Sequence, residues 1–221
     1  MKPCPAKRRH LLQVLLFFPL LLSMQNCASS RLSRLAQLDR EIITVAQWGG
    51  TAVADSHKTH AIKFITLHHG GEEYLGDKPT PEYLVNLQNW SRSEKKWIDI
   101  PYHFLIDLEG KIYAGRDLRY PGDTNTAYDP TGHALICVLG NYEIQYPSKR
   151  QREAVIDLFT WLCWRYQISP ETIKGHKEVA EGTVCPGKNL YAYLTNSEFK
   201  QETTRRLQHL QARHVDDKKA K

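Results

Sequence analysis

The run Ala134 to Leu139 (ALICVL) restricts the fold of this chain more than any other stretch. An apolar segment of strand length with no polar alternation is the pattern of a strand buried on both faces. A sheet built around such a strand must be covered from two sides. Further strand-like runs lie at Ile42 to Ala46 and Ile62 to Leu67, and the second leads directly into His68-His69-Gly70-Gly71. His103 to Asp107 and Lys111 to Ala114, separated by a turn ending in Gly110, have the form of a hairpin. Residues Thr172 to Gly175 add a short strand-like stretch, whereas Pro121 to Gly132 has the composition of a loop.

Two helices are marked by their starts. Thr80-Pro81-Glu82 supplies an N-cap, a proline at the first helical position and an acid in the first turn. Tyr83, Leu87 and Trp90 then recur at helical spacing over a helix of about 14 residues. Ser148 and Gln151 form a capping box ahead of a buried stripe, Ala154, Val155, Leu158, Phe159, Leu162, Cys163 and Tyr166. The alternation of strands and helices with one hairpin predicts an α/β fold: a single domain with a central mixed sheet flanked by helices.

The ends of the chain read differently. Lys2, Lys7, Arg8 and Arg9 precede the apolar run Leu11 to Leu22 and a short polar stretch ending at Cys27, the order of an export signal. The apolar part is well short of the roughly 20 residues that span a bilayer. Cys27 stands where bacterial lipoproteins are cleaved and acylated, although Met24-Gln25-Asn26 matches the small-residue box poorly; ordinary cleavage nearby is the alternative. Either outcome places the product outside the cytoplasm, as a periplasmic protein or a lipoprotein anchored to the outer membrane. The division expected is therefore 1–27 export signal, 28–40 tether, 41–196 folded domain and 197–221 charged C-terminal helix or tail.

Of the net charge of +6, four positive charges belong to residues 1–26, so the remainder carries +2 and gives nucleic-acid binding no support. Cys137, Cys163 and Cys185 remain beyond the export segment. An odd number in an oxidising compartment rules out a complete disulfide framework and leaves at least one thiol for burial or a metal.

Zinc takes imidazole and thiolate ligands, and a catalytic zinc holds three protein ligands with one position open. His68 at a strand end, His176 after another, and Cys185 in Thr183-Val184-Cys185-Pro186-Gly187 would make such a set. Spacing alone does not select these from the ten histidines of the chain.

Ordered blocks over residues 42 to about 195 carry more information. They are Ala46-Gln47-Trp48-Gly49-Gly50, Ile65-Thr66-Leu67-His68-His69, and Trp97 to Ile106 (WIDIPYHFLI). Gly110 to Arg116 (GKIYAGR), Cys137 to Asn141, and Gly175-His176-Lys177-Glu178-Val179 through Cys185-Pro186-Gly187 follow. In these blocks the chain resembles the N-acetylmuramoyl-L-alanine amidases of the peptidoglycan-recognition-protein and phage-lysozyme type. The resemblance implies that His68, His176 and Cys185 bind Zn²⁺ and that Tyr102 and Thr183 stand beside it and assist the reaction. His69 is then supporting or structural. The implied activity is zinc-dependent hydrolysis of the amide between N-acetylmuramic acid and L-alanine, with peptidoglycan or muropeptides as partner and a monomeric enzyme. Glu178 is a weak candidate proton donor, a surface salt bridge being its other reading.

The chain departs from that pattern in three places. Eight residues separate His176 from Cys185 where relatives often have seven, so a bulge near Glu181-Gly182 is implied, which Gly182 can absorb. Asn125-Thr126-Ala127 stands where a histidine is often found, and Gly115-Arg116-Asp117-Leu118 lacks the Gly-Trp after Arg. The other readings are a non-catalytic peptidoglycan-binding module on the same fold, a zinc hydrolase acting on another amide, and a structural lipoprotein in which the three ligands lie apart.

Overall fold

The computed structural model describes residues 38–53 and 58–219, with the side chains of 213–219 left aside. The export segment, Cys27 and nearly all of the tether lie outside these residues. Among the described residues no helix is long and apolar enough to cross a membrane.

The chain forms one α/β domain around a five-stranded mixed sheet. The strands are β1 (Phe64–His69), β2 (Phe104–Ile106), β3 (Ile112–Ala114), β4 (His133–Val138) and β5 (Ile173–Gly175). Their order is β3-β2-β4-β1-β5; all neighbours are parallel except the β2/β3 hairpin. The run ALICVL is thus the middle strand β4, and Ala134 to Val138 are buried without exception.

Two apolar layers sandwich the sheet. Ile65, Leu67, Ile136 and Val138 face the side covered by α2 (Lys149–Tyr166) and α3 (Lys188–Thr195). Leu105, Tyr113 and Cys137 face the other side, where α1 (Thr80–Ser93) contributes Leu84. The capping box on α2 is formed: Ser148 Oγ accepts from Gln151 N at 3.2 Å and Gln151 Oε1 accepts from Ser148 N at 3.0 Å. The hairpin turn is held by Asp107, whose carboxylate accepts from the Glu109 and Lys111 amides and the Tyr113 hydroxyl.

Two details differ from expectation. Ile42 to Ala46 is not a strand: only Ile43 bridges, to Tyr113, and the chain then turns because Gln47 Oε1 accepts from both the amide and the hydroxyl of Thr44. Helix α1 is capped by Pro79 rather than Thr80. Thr80 itself is buried, its hydroxyl shared between Tyr74 and Asp107. The C-terminal segment is helix α4 (Glu198–Lys219), which packs against α2 and α3. Phe199 and Thr203 are fully buried, and Arg206 pairs with Asp157 at 2.5 Å and Glu153 at 2.6 Å on α2.

Candidate metal centre

Register brings the first two residues together. In the parallel β1/β5 pair Leu67 lies opposite Gly175, so the next residue of each segment, His68 and His176, emerges at the same end of adjacent strands. Period-two alternation turns Thr66 and His68 to one face of β1 and Leu67 to the other. His68 therefore leaves the α2 core and points under the loops beside α1. Its ring centroid is 4.4 Å from that of His176.

Cys185 arrives from a turn. Between His176 and Cys185 the chain bends at Glu181-Gly182, with Gly182 at φ +72°, a conformation that costs a glycine nothing. Thr183 Oγ1 accepts from the Cys185 amide at 3.1 Å, and the Cys185 carbonyl accepts from Lys177 N at 2.8 Å, so the thiol-bearing turn is clipped to the turn of His176. The ligating atoms of His68, His176 and Cys185 all lie within 4.8 Å of one another, and all three residues are buried.

This donor set fits a zinc ion. Ligands at about 2.3 Å (S) and 2.1 Å (N) on a tetrahedral centre stand about 3.6 Å apart, and Cys185 Sγ lies 3.6 Å from His68 Nδ1. Burial holds the His68 imidazole well below its ordinary pKa, and the neighbouring His176 adds to this; burial likewise brings His176 down to about 4. Both rings are thus neutral at pH 7, the state that binds metal. The Cys185 thiol is pushed up to about 12 by burial, opposed by the hydrogen bond from the His69 amide at 3.4 Å. A cation is what would draw that proton off.

The cluster opens into a cleft of about 220 Å³ whose walls include Tyr102, Trp97, Asp123, Asn125 and Thr183. Tyr102 stacks obliquely on His68 with centroids 5.2 Å apart, and its pKa is raised well above 10 by burial and by Cys137 and Cys185, so its hydroxyl keeps a proton to donate. A second cavity continues past Tyr102 between Tyr83, Leu87, Trp90 and Trp97. The helical recurrence of Tyr83, Leu87 and Trp90 therefore lines a cavity, while the buried side of α1 is Thr80, Leu84, Gln88 and Ser91.

His69 borders the cleft and accepts from Tyr142 N through Nδ1 at 3.1 Å. Among the described residues Glu178 has no ion-pair partner and does not line the cleft: its carboxylate accepts from Gly175 N at 2.6 Å and closes the turn that carries His176. The residues missed in the sequence are those that frame the cleft. Buried Arg116 donates to the carbonyls of Asp99, Ile100 and Pro121 and pairs with Asp123, tying the segment before Tyr102 to the loop at 121–132. From that loop Thr126 Oγ1 contacts His176 Nε2 at 2.8 Å. The only sequence signal for it was the absence of a histidine beside it.

The model of the N-acetylmuramoyl-L-alanine amidase family matches residues 58–188. Peptidoglycan-recognition protein SD of Drosophila simulans is 31% identical over 159 residues, covering 69% of this chain and 83% of that protein. Peptidoglycan recognition protein 1 of Mus musculus is 27% identical over 180 residues, covering 80% and 98%. Among solved structures, Drosophila peptidoglycan recognition protein SD superposes with a TM-score of 0.62 at 28% identity, over 70% of this chain and 92% of that one. The endolysin N-acetylmuramoyl-L-alanine amidase LysCS of Clostridium intestinale does so with a TM-score of 0.54 at 25% identity, over 70% and 95%.

Proposed function

The chain belongs to the N-acetylmuramoyl-L-alanine amidase family, and on that premise we propose that it is a zinc-dependent amidase cleaving the bond between N-acetylmuramic acid and L-alanine in peptidoglycan or muropeptides. The observation that carries this reading is the buried cluster of His68, His176 and Cys185 lining an open cleft. These three residues would hold Zn²⁺. Held there, the ion would supply Lewis acidity and lower the pKa of water toward neutrality.

The protein's own groups do the rest. Neutral imidazoles on His68 and His176 hold the cation without adding charge to the site. The protonated Tyr102 hydroxyl donates to the oxygen that becomes negative as the amide carbon turns tetrahedral, an interaction worth about 2.7–4 kcal/mol where measured for such donors. Thr183 accepts the Cys185 amide with its oxygen, which leaves its hydroxyl proton free to aim into the cleft. Trp97 lines both the cleft and the cavity beyond Tyr102, and Trp90 lines the latter.

The same reading makes the protein a monomer exported by its N-terminal segment, periplasmic or held at the outer membrane through Cys27. A binding module without hydrolysis is favoured by one observation, that the relatives at 31% and 27% identity are recognition proteins by name. The retained thiol of Cys185 speaks for the enzyme. Metal analysis of the purified protein, combined with chromatography of muropeptides after incubation, separates the two. Stoichiometric zinc with release of free stem peptide is the expected result; retention of intact muropeptide by zinc-replete protein would identify a binder.

A further inference from the structure

The two imidazoles differ in what holds their second nitrogen. His68 presents Nδ1 to Cys185 Sγ, and its Nε2 is buried with no hydrogen-bond partner among the described residues. His176 has Nε2 engaged at 2.8 Å by Thr126 Oγ1. The hydroxyl of Thr126 in turn lies 2.7 Å from Thr124 Oγ1, which also accepts from Thr126 N at 3.1 Å. On the other side Tyr128 packs its ring 5.2 Å from that of His176. One short stretch of loop thus grips the imidazole by hydrogen bond and by contact, and Arg116 anchors that loop through Pro121 and Asp123.

In a histidine ligand the nitrogen that binds metal is decided by the hydrogen bond the other nitrogen makes. We propose that Thr126 is a positioning residue for His176: its hydroxyl accepts from Nε2–H, passes its own proton toward Thr124, and so fixes the tautomer whose Nδ1 lone pair is free to act as ligand. The geometry accommodates this direction. Thr124 Oγ1 already receives the Thr126 amide and can receive the Thr126 hydroxyl as well, which leaves the Thr126 lone pairs for the imidazole. The backbone of His68 is placed by its strand, in register with Cys137 of β4. His176 sits in a short turn beyond an edge strand and has no ladder to orient it.

This inference rests on the zinc reading for its consequence but not for its geometry, so two measurements keep them apart. The first is the tautomer of His176 in metal-free protein, from long-range nitrogen–proton NMR couplings; the Nε2–H form is expected, and the Nδ1–H form would overturn the proposal. The second is zinc affinity by competition with a chromophoric chelator. Thr126→Val, which keeps shape and removes the hydroxyl, should weaken zinc binding by about tenfold or more, while Thr126→Ser should restore it to near the original value, as for other partners of metal-bound histidines. Unchanged or tighter zinc binding by Thr126→Val would contradict it, the tighter case meaning that Nε2 itself is the ligand. Should the unaltered protein bind no zinc yet show the Nε2–H tautomer, the amidase reading fails and the hold of Thr126 on His176 stands.

Discussion

His68 and His176 reach the same cluster on opposite kinds of support. His68 is the fifth residue of a six-residue strand whose backbone is paired with β4 on one side and β5 on the other, and five of the six residues are buried. His176 follows a three-residue edge strand and sits in a single turn assembled from side chains, Glu178 on the Gly175 amide and Thr126 on the ring itself. The first ligand inherits its position from the sheet. The second depends on a few hydrogen bonds contributed by loops, and so does Cys185, through Thr183 and the Lys177 amide. A rigid floor with an adjustable rim is an arrangement in which the metal itself would complete the structure of the rim.

Replacing a ligand tests both halves at once. Cys185→Ser should abolish zinc-dependent hydrolysis while leaving the circular dichroism of the fold unchanged, since the residue belongs to the rim. Tyr102→Phe removes a donor without touching the ligands; turnover should fall by roughly 10²–10³ with KM little altered, which steady-state kinetics would show. Damage to the floor should read as stability instead. Ile136→Ala in the buried middle strand should cost about 2–5 kcal/mol in urea unfolding.

A pH series sharpens the contrast further. Both imidazoles are neutral at pH 7 because burial lowers them, His176 to about 4, whereas the Cys185 thiol, raised to about 12, keeps its proton until a cation binds. Zinc binding should then release one proton, and affinity measured between neutral and mildly alkaline pH should rise about tenfold per pH unit. The sign for folding is separate. A histidine lowered from 6.5 to about 4 leaves the unfolded chain holding more protons in that interval, so metal-free protein should lose stability as pH falls from 6.5 toward 4. The smallest effect belongs to the rim turn: Glu178→Ala should cost about 1 kcal/mol or slightly more in the same urea assay on metal-free protein.

What could be read in advance follows the same division. ALICVL announced a buried strand, and Ser148 with Gln151 announced the start of α2, because each is a local pattern that needs no distant partner. Ile42 to Ala46 misled, since a β-branched run becomes a strand only if a neighbour pairs with it, and Gln47 instead folds the segment into a turn. Tyr83, Leu87 and Trp90 revealed the helix but not that this face lines a cavity, which depends on where Trp97 and Pro101 return. The meeting of His68, His176 and Cys185 was suggested by resemblance, because 107 residues separate the first pair and no periodicity spans them. Glu178 and Thr126 were illegible as supports, their partners being set by tertiary placement alone.

The central claim is tested most directly by incubating the zinc-loaded protein with muropeptides in ¹⁸O-labelled water and locating the heavy oxygen by mass spectrometry. The account predicts free stem peptides with an unlabelled L-alanine amine end, one ¹⁸O in the lactyl carboxylate of the sugar fragment, and no products once a chelator has removed the zinc. Intact muropeptides, or label appearing in a peptide carboxylate instead, would contradict it.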